Sequence, residues 1–168
     1  MKRKIMYIDM DNVLCNYDFS YLKYKKKFQN IEYPQSMEGF FLNLEPIEGS
    51  IETVKKIISS DIYDPYVLTA PSTHNPISYM EKRIWIENYF DYNFTKKLII
   101  SSNKGLLKGD FLIDDNIEGK GQENFEGKII HFGSSEFPNW QAVDKLLFCS
   151  CFLLSKRNDI LNDNSRHS

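Results

Sequence analysis

The chain has 168 residues, with 21 Lys and Arg against 23 Asp and Glu, 42% hydrophobic residues and 14% aromatic ones. That length fits one domain with room for a small insertion, and the composition is too apolar for disorder and too charged for a membrane protein. A formal charge of −2 argues against a general nucleic-acid binder, and no apolar run approaches the ~20 residues of a membrane span.

The basic opening Met1-Lys2-Arg3-Lys4 meets Asp9 too soon to lead a secretory signal. Cys15, Cys149 and Cys151 lack metal-site spacing and fit a reducing cytoplasm better than a disulfide framework.

In chain order, 5–9 (IMYID) is apolar on both parities until it meets an acid, and reads as a buried strand. The interval from Asp9 to Ser50 exceeds the ~12–15 residues at which a plain loop becomes uncommon. It is rich in aromatics, among them Tyr17, Phe19, Tyr21, Tyr24, Phe28, Tyr33, Phe40 and Phe41. We read 16–45 as a small inserted cap, partly helical over 18–29, on a core made of 1–15 and 46–150. A helix follows with Ser50 as N-cap and Ile51, Val54 and Ile58 on one stripe.

The next strand is 66–70 (YVLTA), between Pro65 and Pro71. Asn75 as N-cap and Pro76 at the first helical position introduce a helix with Ile77, Met80 and Ile84 as its apolar stripe. Strands 98–101 (LIIS), 111–114 (FLID) and 128–132 (KIIHF) come next, then a helix behind Asn139 with Trp140, Val143 and Leu147. The polar tail over 155–168 is expected to fray. Strands apolar on both faces alternating with helices predict an α/β fold, a three-layer Rossmann-like parallel sheet with the cap inserted after strand one. Its reactive groups belong outside the carboxyl ends of the strands.

Those ends are marked. Asp9 and Asp11 follow the first strand, Thr69 and Ala70 the second, Lys104 the third, and Asp114 and Asp115 close the fourth. A single Asp-Asn pair would read as turn chemistry. Inward acids are costly without a cation, and several converging on one Lys fit a divalent ion. All-oxygen ligands favour Mg²⁺, which bridges carboxylates to phosphate.

Asp9-Met10-Asp11-Asn12-Val13 resembles the DxDx[TV] signature of the haloacid dehalogenase superfamily of phosphotransferases, with Thr69, Lys104 and Asp114-Asp115 in the places of its later motifs. The ordered segments DMDNVLCNY, LEPIEGSIETV, YVLTAP, EKRIWIENYF, SSNKG, GDFLIDDN and GQENFEG are similar to the 5′(3′)-deoxyribonucleotidases, the cytosolic type C nucleotidase family. Two departures stand out: Asn12 where relatives commonly carry Gly, and Ala70 where some carry Ser.

The resemblance implies a Mg²⁺-dependent phosphomonoesterase that removes phosphate from deoxyribonucleoside monophosphates in the cytoplasm through an aspartyl-phosphate. Asp9 would be the nucleophile and Asp11 the acid–base. Thr69, Ala70 and Lys104 would hold the phosphate; the Asp9 side chain, the Asp11 backbone carbonyl, Asp115, and Asp114 directly or through water would hold the metal. Tyr17, Phe40 and Lys82 are candidate substrate contacts. For Tyr17 and Phe40 core packing stands as an alternative, and for Lys82 a surface ion pair does. His74 reads as a loop histidine, and Lys23, Lys25, Lys26 and Lys27 as a solvated helix face. The ligand would be one small nucleotide, with no nucleic-acid polymer and no membrane involved; a homodimer is left open.

Two other functions share these residues: a phosphatase of sugar phosphates or other small metabolites, and a phospho-accepting switch. Element order opposes the switch, in which the acid pair precedes the acceptor Asp.

Overall fold

The computed structural model describes residues 2–149, so the expected frayed tail and Cys151 lie outside the described residues. Its strands are β1 (Lys4–Ile8), β2 (Tyr63–Thr69), β3 (Leu98–Ile100), β4 (Phe111–Asp114) and β5 (Lys128–His131). They pair in parallel in the order β3-β2-β1-β4-β5. The helices are α1 (Tyr17–Lys27), α2 (Ser50–Ile58), α3 (Ser78–Tyr89), α4 (Tyr92–Thr95) and α5 (Trp140–Asp144).

Alternate residues of each strand feed opposite faces of the sheet, which is why the strands read as apolar on both parities. Met6, Ile8, Val67, Ile113 and Ile130 meet Val54 and Ile57 of α2, Trp85 and Ile86 of α3, and Trp140 and Val143 of α5. Tyr7, Leu68 and Leu112 face the other way and are covered by Phe125 and Leu107, from the irregular connections around β4. The chain is thus a three-layer α/β fold of Rossmann-like kind, with its helices on one face and short 3₁₀ turns on the other. Among the described residues no helix is long and apolar enough to cross a membrane.

The strand borders differ from expectation mainly at Pro65, which lies inside β2 opposite Met6 rather than before it. The Val67 N–H donates to the Lys97 carbonyl, so N–H positions of that parity face β3. At Pro65 that side precedes the first β2–β3 pair, Val67 with Leu98, so no ladder bond is lost.

Two helix starts also differ. Ser50 is not an N-cap: Gly49, at φ 78°, holds that place, and the Ser50 hydroxyl donates to the Leu14 carbonyl at 3.0 Å. α3 begins at Ser78, because Asn75 turns its Oδ1 onto the Ile77 N–H two residues on at 3.0 Å. Its buried face is also not the expected stripe. Met80 is 57% exposed, while Ser78, Glu81, Lys82, Trp85 and Ile86 face inward. Asn139 behaves as read, accepting from the Ala142 N–H at 3.0 Å.

The excursion between β1 and α2 leaves and returns at one point. The Asn16 N–H donates to the Glu45 carbonyl and the Ile47 N–H to the Leu14 carbonyl, each at 2.9 Å. It contains α1 and a 3₁₀ turn over Pro34–Ser36. Phe40 and Phe41 pack edge-on at 5.1 Å beneath α1, with Tyr17 and Tyr24 against Phe40.

Candidate active site

β1, β2 and β4 are adjacent and parallel, so their carboxyl ends open on one rim. Asp9 leaves β1 still tied to the sheet, its N–H donating to the Ile113 carbonyl at 2.9 Å. The chain then turns tightly, with the Met10 carbonyl accepting from the Leu14 and Cys15 N–H groups at 2.8 and 3.0 Å. Lys104 arrives from a 3₁₀ turn over Lys104–Leu106, whose entry is fixed by the Lys104 N–H donating to the Lys120 carbonyl at 2.7 Å.

Around this rim lies a cavity of about 240 Å³, whose lining includes Asp9, Asp11, Asn12, Ala70 and Asp115 together with Tyr17, Phe41, His74 and Lys120.

Two cationic anchors organise the acids. Lys104, fully buried, pairs with Asp9 Oδ2 at 2.8 Å and with Asp114 Oδ2. Burial opposes its charge, but Asp9 and Asp114 outweigh that and hold its ammonium above the usual range. Asp114 is saturated, its Oδ1 accepting from the Asn116 N–H at 3.0 Å and from Gln122 Nε2 at 3.1 Å. Burial, then the Asp9 charge, raise its carboxyl, with Lys104 opposing.

Lys82, also fully buried, reaches from α3 to Asp11 Oδ2 at 2.7 Å, Thr69 Oγ1 at 2.8 Å and the Ala70 carbonyl at 2.9 Å. The surface ion pair considered for it is therefore excluded, and it stands behind the cavity wall rather than lining it. Burial raises the Asp11 carboxyl, Lys82 opposes, and the Asp9 charge adds to the rise. Asp11 Oδ1 is buried without a hydrogen-bond partner.

Carboxylate oxygens of Asp9, Asp114 and Asp115 lie within 4.8 Å of one another. Three acids share a single ammonium there, Lys104, which pairs with two of them. Asp115 is pushed up to about 6 by burial and then by the Asp9 charge. Crowded, incompletely neutralised oxygen donors fit a hard divalent cation such as Mg²⁺. Asp11 is not in this group: Lys82 holds its Oδ2, and its Oδ1 is turned to no partner.

Of the remaining expected residues, Tyr17 lines the cavity, and burial followed by the Asp11 charge raises its hydroxyl to about 12. Thr69 and Lys104 are buried just beneath the wall. Phe40 is buried and absent from the lining; the ring that faces the cavity is Phe41, which also sits 4.9 Å from Lys82 Nζ.

Sequence reasoning missed three participants. Glu81, buried, accepts from the Gly39 N–H at 2.6 Å and the Phe41 N–H at 3.0 Å, tying the excursion to α3. Gln122 orients Asp114. His74, read as a loop histidine, lines the cavity and stacks on Tyr33 at 4.1 Å and 6°. An acid inside a helix and an amide after a glycine carry no local signal of such roles.

A parallel sheet that gathers Asp-x-Asp, Thr, Lys and Asp-Asp from successive strand ends on one rim has the architecture of the haloacid dehalogenase superfamily. Residues 32–147 match the family model described as 5′ nucleotidase, deoxy (Pyrimidine), cytosolic type C protein. A protein of Vibrio phage KVP40 is 36% identical over 143 residues, covering 84% of this chain and 82% of its own length. The 5′(3′)-deoxyribonucleotidase of Bacillus subtilis is 30% identical over 175 residues, 86% of this chain and 99% of its own. The human 5′(3′)-deoxyribonucleotidase, cytosolic type, is 30% identical over 113 residues, 67% of this chain and 49% of its own. The chain belongs to the cytosolic type C 5′-nucleotidase family.

Proposed function

We propose that the chain is a phosphomonoesterase of deoxyribonucleoside monophosphates that works through an aspartyl-phosphate on Asp9. The observation that carries this reading is the meeting of Asp9, Asp11, Ala70 and Asp115 in the lining of one cavity, with the buried Lys104 paired to Asp9 and the buried Lys82 bonded to Asp11, Thr69 and Ala70.

In the first step an Asp9 carboxylate oxygen attacks phosphorus as the bond from phosphorus to the sugar oxygen breaks. The proton on Asp11, whose raised carboxyl favours holding one, goes to the departing oxygen. In the second step water attacks the phosphoryl group while Asp11 takes its proton. The Asp9–phosphorus bond breaks, freeing phosphate and restoring Asp9. Asp11 lines the cavity and is the residue for both transfers.

Lys82 is a positioning residue in this scheme: it fixes Asp11 and accepts no role as a direct substrate contact. It also donates to Thr69 Oγ1, leaving the Thr69 hydroxyl proton for a phosphoryl oxygen. Backbone N–H groups after Ala70 supply further donors where the residue itself has no hydroxyl. Lys104 holds Asp9 in place and offsets the charge gathered on it. Mg²⁺ would be held by Asp9, Asp115 and the Asp11 carbonyl, with Asp114 close behind, and would neutralise phosphoryl oxygens.

The 16–45 excursion serves as the cap, presenting Tyr17 and Phe41 to the leaving group, with His74 from the core opposite. The ligand is a single nucleotide, and the cytoplasm is the place of action.

A panel of dTMP, dUMP, UMP, ribose 5-phosphate and p-nitrophenyl phosphate, with and without Mg²⁺, tests the reading beside Asp9→Asn. Deoxynucleotides should lead, and both Mg²⁺ removal and Asp9→Asn should abolish turnover. If deoxynucleotides are cleaved no better than p-nitrophenyl phosphate, the substrate assignment is wrong; if Asp9→Asn retains activity, the mechanism is.

A further inference from the structure

Asn12 is the only residue other than glycine with a positive φ among the described residues, at 56°. Glycine is the default occupant of that conformation, and a side chain there adds strain, though Asn bears it better than most. The side chain is used at both ends. Its Nδ2 donates to Asp115 Oδ2 at 3.3 Å, and its Oδ1 accepts from the Asp18 N–H at 2.9 Å. That second bond caps α1 from outside the helix: Asn16, at the N-cap position, makes no side-chain bond to it and instead donates to the Pro46 carbonyl at 3.3 Å. Asn12 also lines the cavity between these two partners.

We propose that Asn12 is a positioning residue that couples the metal-side carboxylate of Asp115 to the start of α1, so that ion affinity and cap attachment share one side chain. The inference rests on reading Asp115 as a metal ligand. A carboxylate with one oxygen held by a fixed amide presents the other in a set direction, and outer partners of this kind typically change metal affinity ~10–100-fold. On the opposite side the same amide holds the first turn of α1, which carries Tyr17.

Asn12→Gly removes both bonds while suiting the backbone angle. Mg²⁺ binding to the full chain without substrate, measured by calorimetry, should weaken about tenfold, equivalent to ~1.4 kcal/mol. The Mg²⁺-induced rise in melting temperature should shrink with it. A merely structural Asn12 would lower the melting temperature equally with and without Mg²⁺ and leave the affinity unmoved, which overturns the proposal. Wild-type protein that binds no Mg²⁺ would remove the metal reading itself, and this proposal with it.

Discussion

Lys82→Met tests the arrangement most directly, because the ammonium stands alone between three acceptors. The Met side chain fills a similar volume but leaves Asp11 Oδ2, Thr69 Oγ1 and the Ala70 carbonyl without their donor. Removing one member of a buried ion pair costs ~3–5 kcal/mol. Asp11 keeps 22% of its side chain exposed and can take up a proton, which points to the lower end, about 3 kcal/mol. At ~2–4 °C per kcal/mol for a chain this size, the melting temperature should fall by ~6–12 °C. The kinetic effect has a sign of its own. Burial already raises the Asp11 carboxyl, and Lys82 is the group that opposes it, so the variant holds its proton to still higher pH. Donation to the leaving oxygen survives, whereas taking a proton from water is impaired at neutral pH and recovers as pH rises. Phosphoenzyme should therefore accumulate on Asp9 in rapid-quench samples read by mass spectrometry, and the acid limb of kcat should move to higher pH. A stable variant with wild-type pH dependence and no accumulated phosphoenzyme would refute the role given to Lys82.

Other parts of the site make their own forecasts. Asp115, raised to about 6 in the metal-free protein, binds its proton more tightly folded than unfolded; without metal it adds stability at low pH that is lost as pH rises through about 6. Mg²⁺ competes with that proton, so the Mg²⁺-dependent gain in melting temperature should grow from pH 5 to pH 7.5; a flat gain would count against Asp115 as a ligand. Glu81→Gln puts an amide donor against the Gly39 or Phe41 N–H, and should lower stability by ~1–3 kcal/mol in chemical denaturation and raise KM for the nucleotide more than it lowers kcat. Gly121, at φ 83°, leaves no room for a methyl: an added Cβ would sit 1.9 Å from Asn103 Oδ1, the atom that accepts from the Gly105 N–H. Gly121→Ala should disturb the turn that delivers Lys104 and lower kcat more than Gly119→Ala, which at φ 96° strains the backbone but whose Cβ meets nothing within 4 Å.

The strands and their order of chemistry were legible because the signals are local. Doubly buried runs such as 111–114 show themselves by composition, and an acid at the end of one has few reasons to be there. Helix starts were less legible, since a serine or asparagine offers the same signal whether it caps the helix or bonds elsewhere. Ser50 looks like a cap in sequence, and only the nearness of Leu14, from a distant turn, shows where its hydroxyl goes. α4, with its Asp91 cap accepting from the Phe94 N–H at 2.7 Å, is too short to carry a period.

α3 shows most clearly why local patterning fails at a working site. Apolar spacing selects Ile77, Met80 and Ile84 as the inward stripe, yet the buried face runs through Ser78, Glu81, Lys82, Trp85 and Ile86. Burying a Glu and a Lys side by side on a helix is unfavourable unless each meets its own fixed partners. Here the partners are divided: Glu81 takes two N–H groups of the excursion, while Lys82 takes Asp11, Thr69 and Ala70 from the strand ends. Trp85, one turn on, donates to the Leu44 carbonyl at 2.8 Å and fixes the point where the excursion returns. One rigid helical turn thus locks the Phe41 wall of the cavity to Asp11, the acid proposed to protonate the leaving group. A hydrophobic residue at either polar position would satisfy the periodicity better and leave the two parts free to shift independently. The polar face is inexplicable as packing alone, and it follows directly once Asp11 and Phe41 must be held in register.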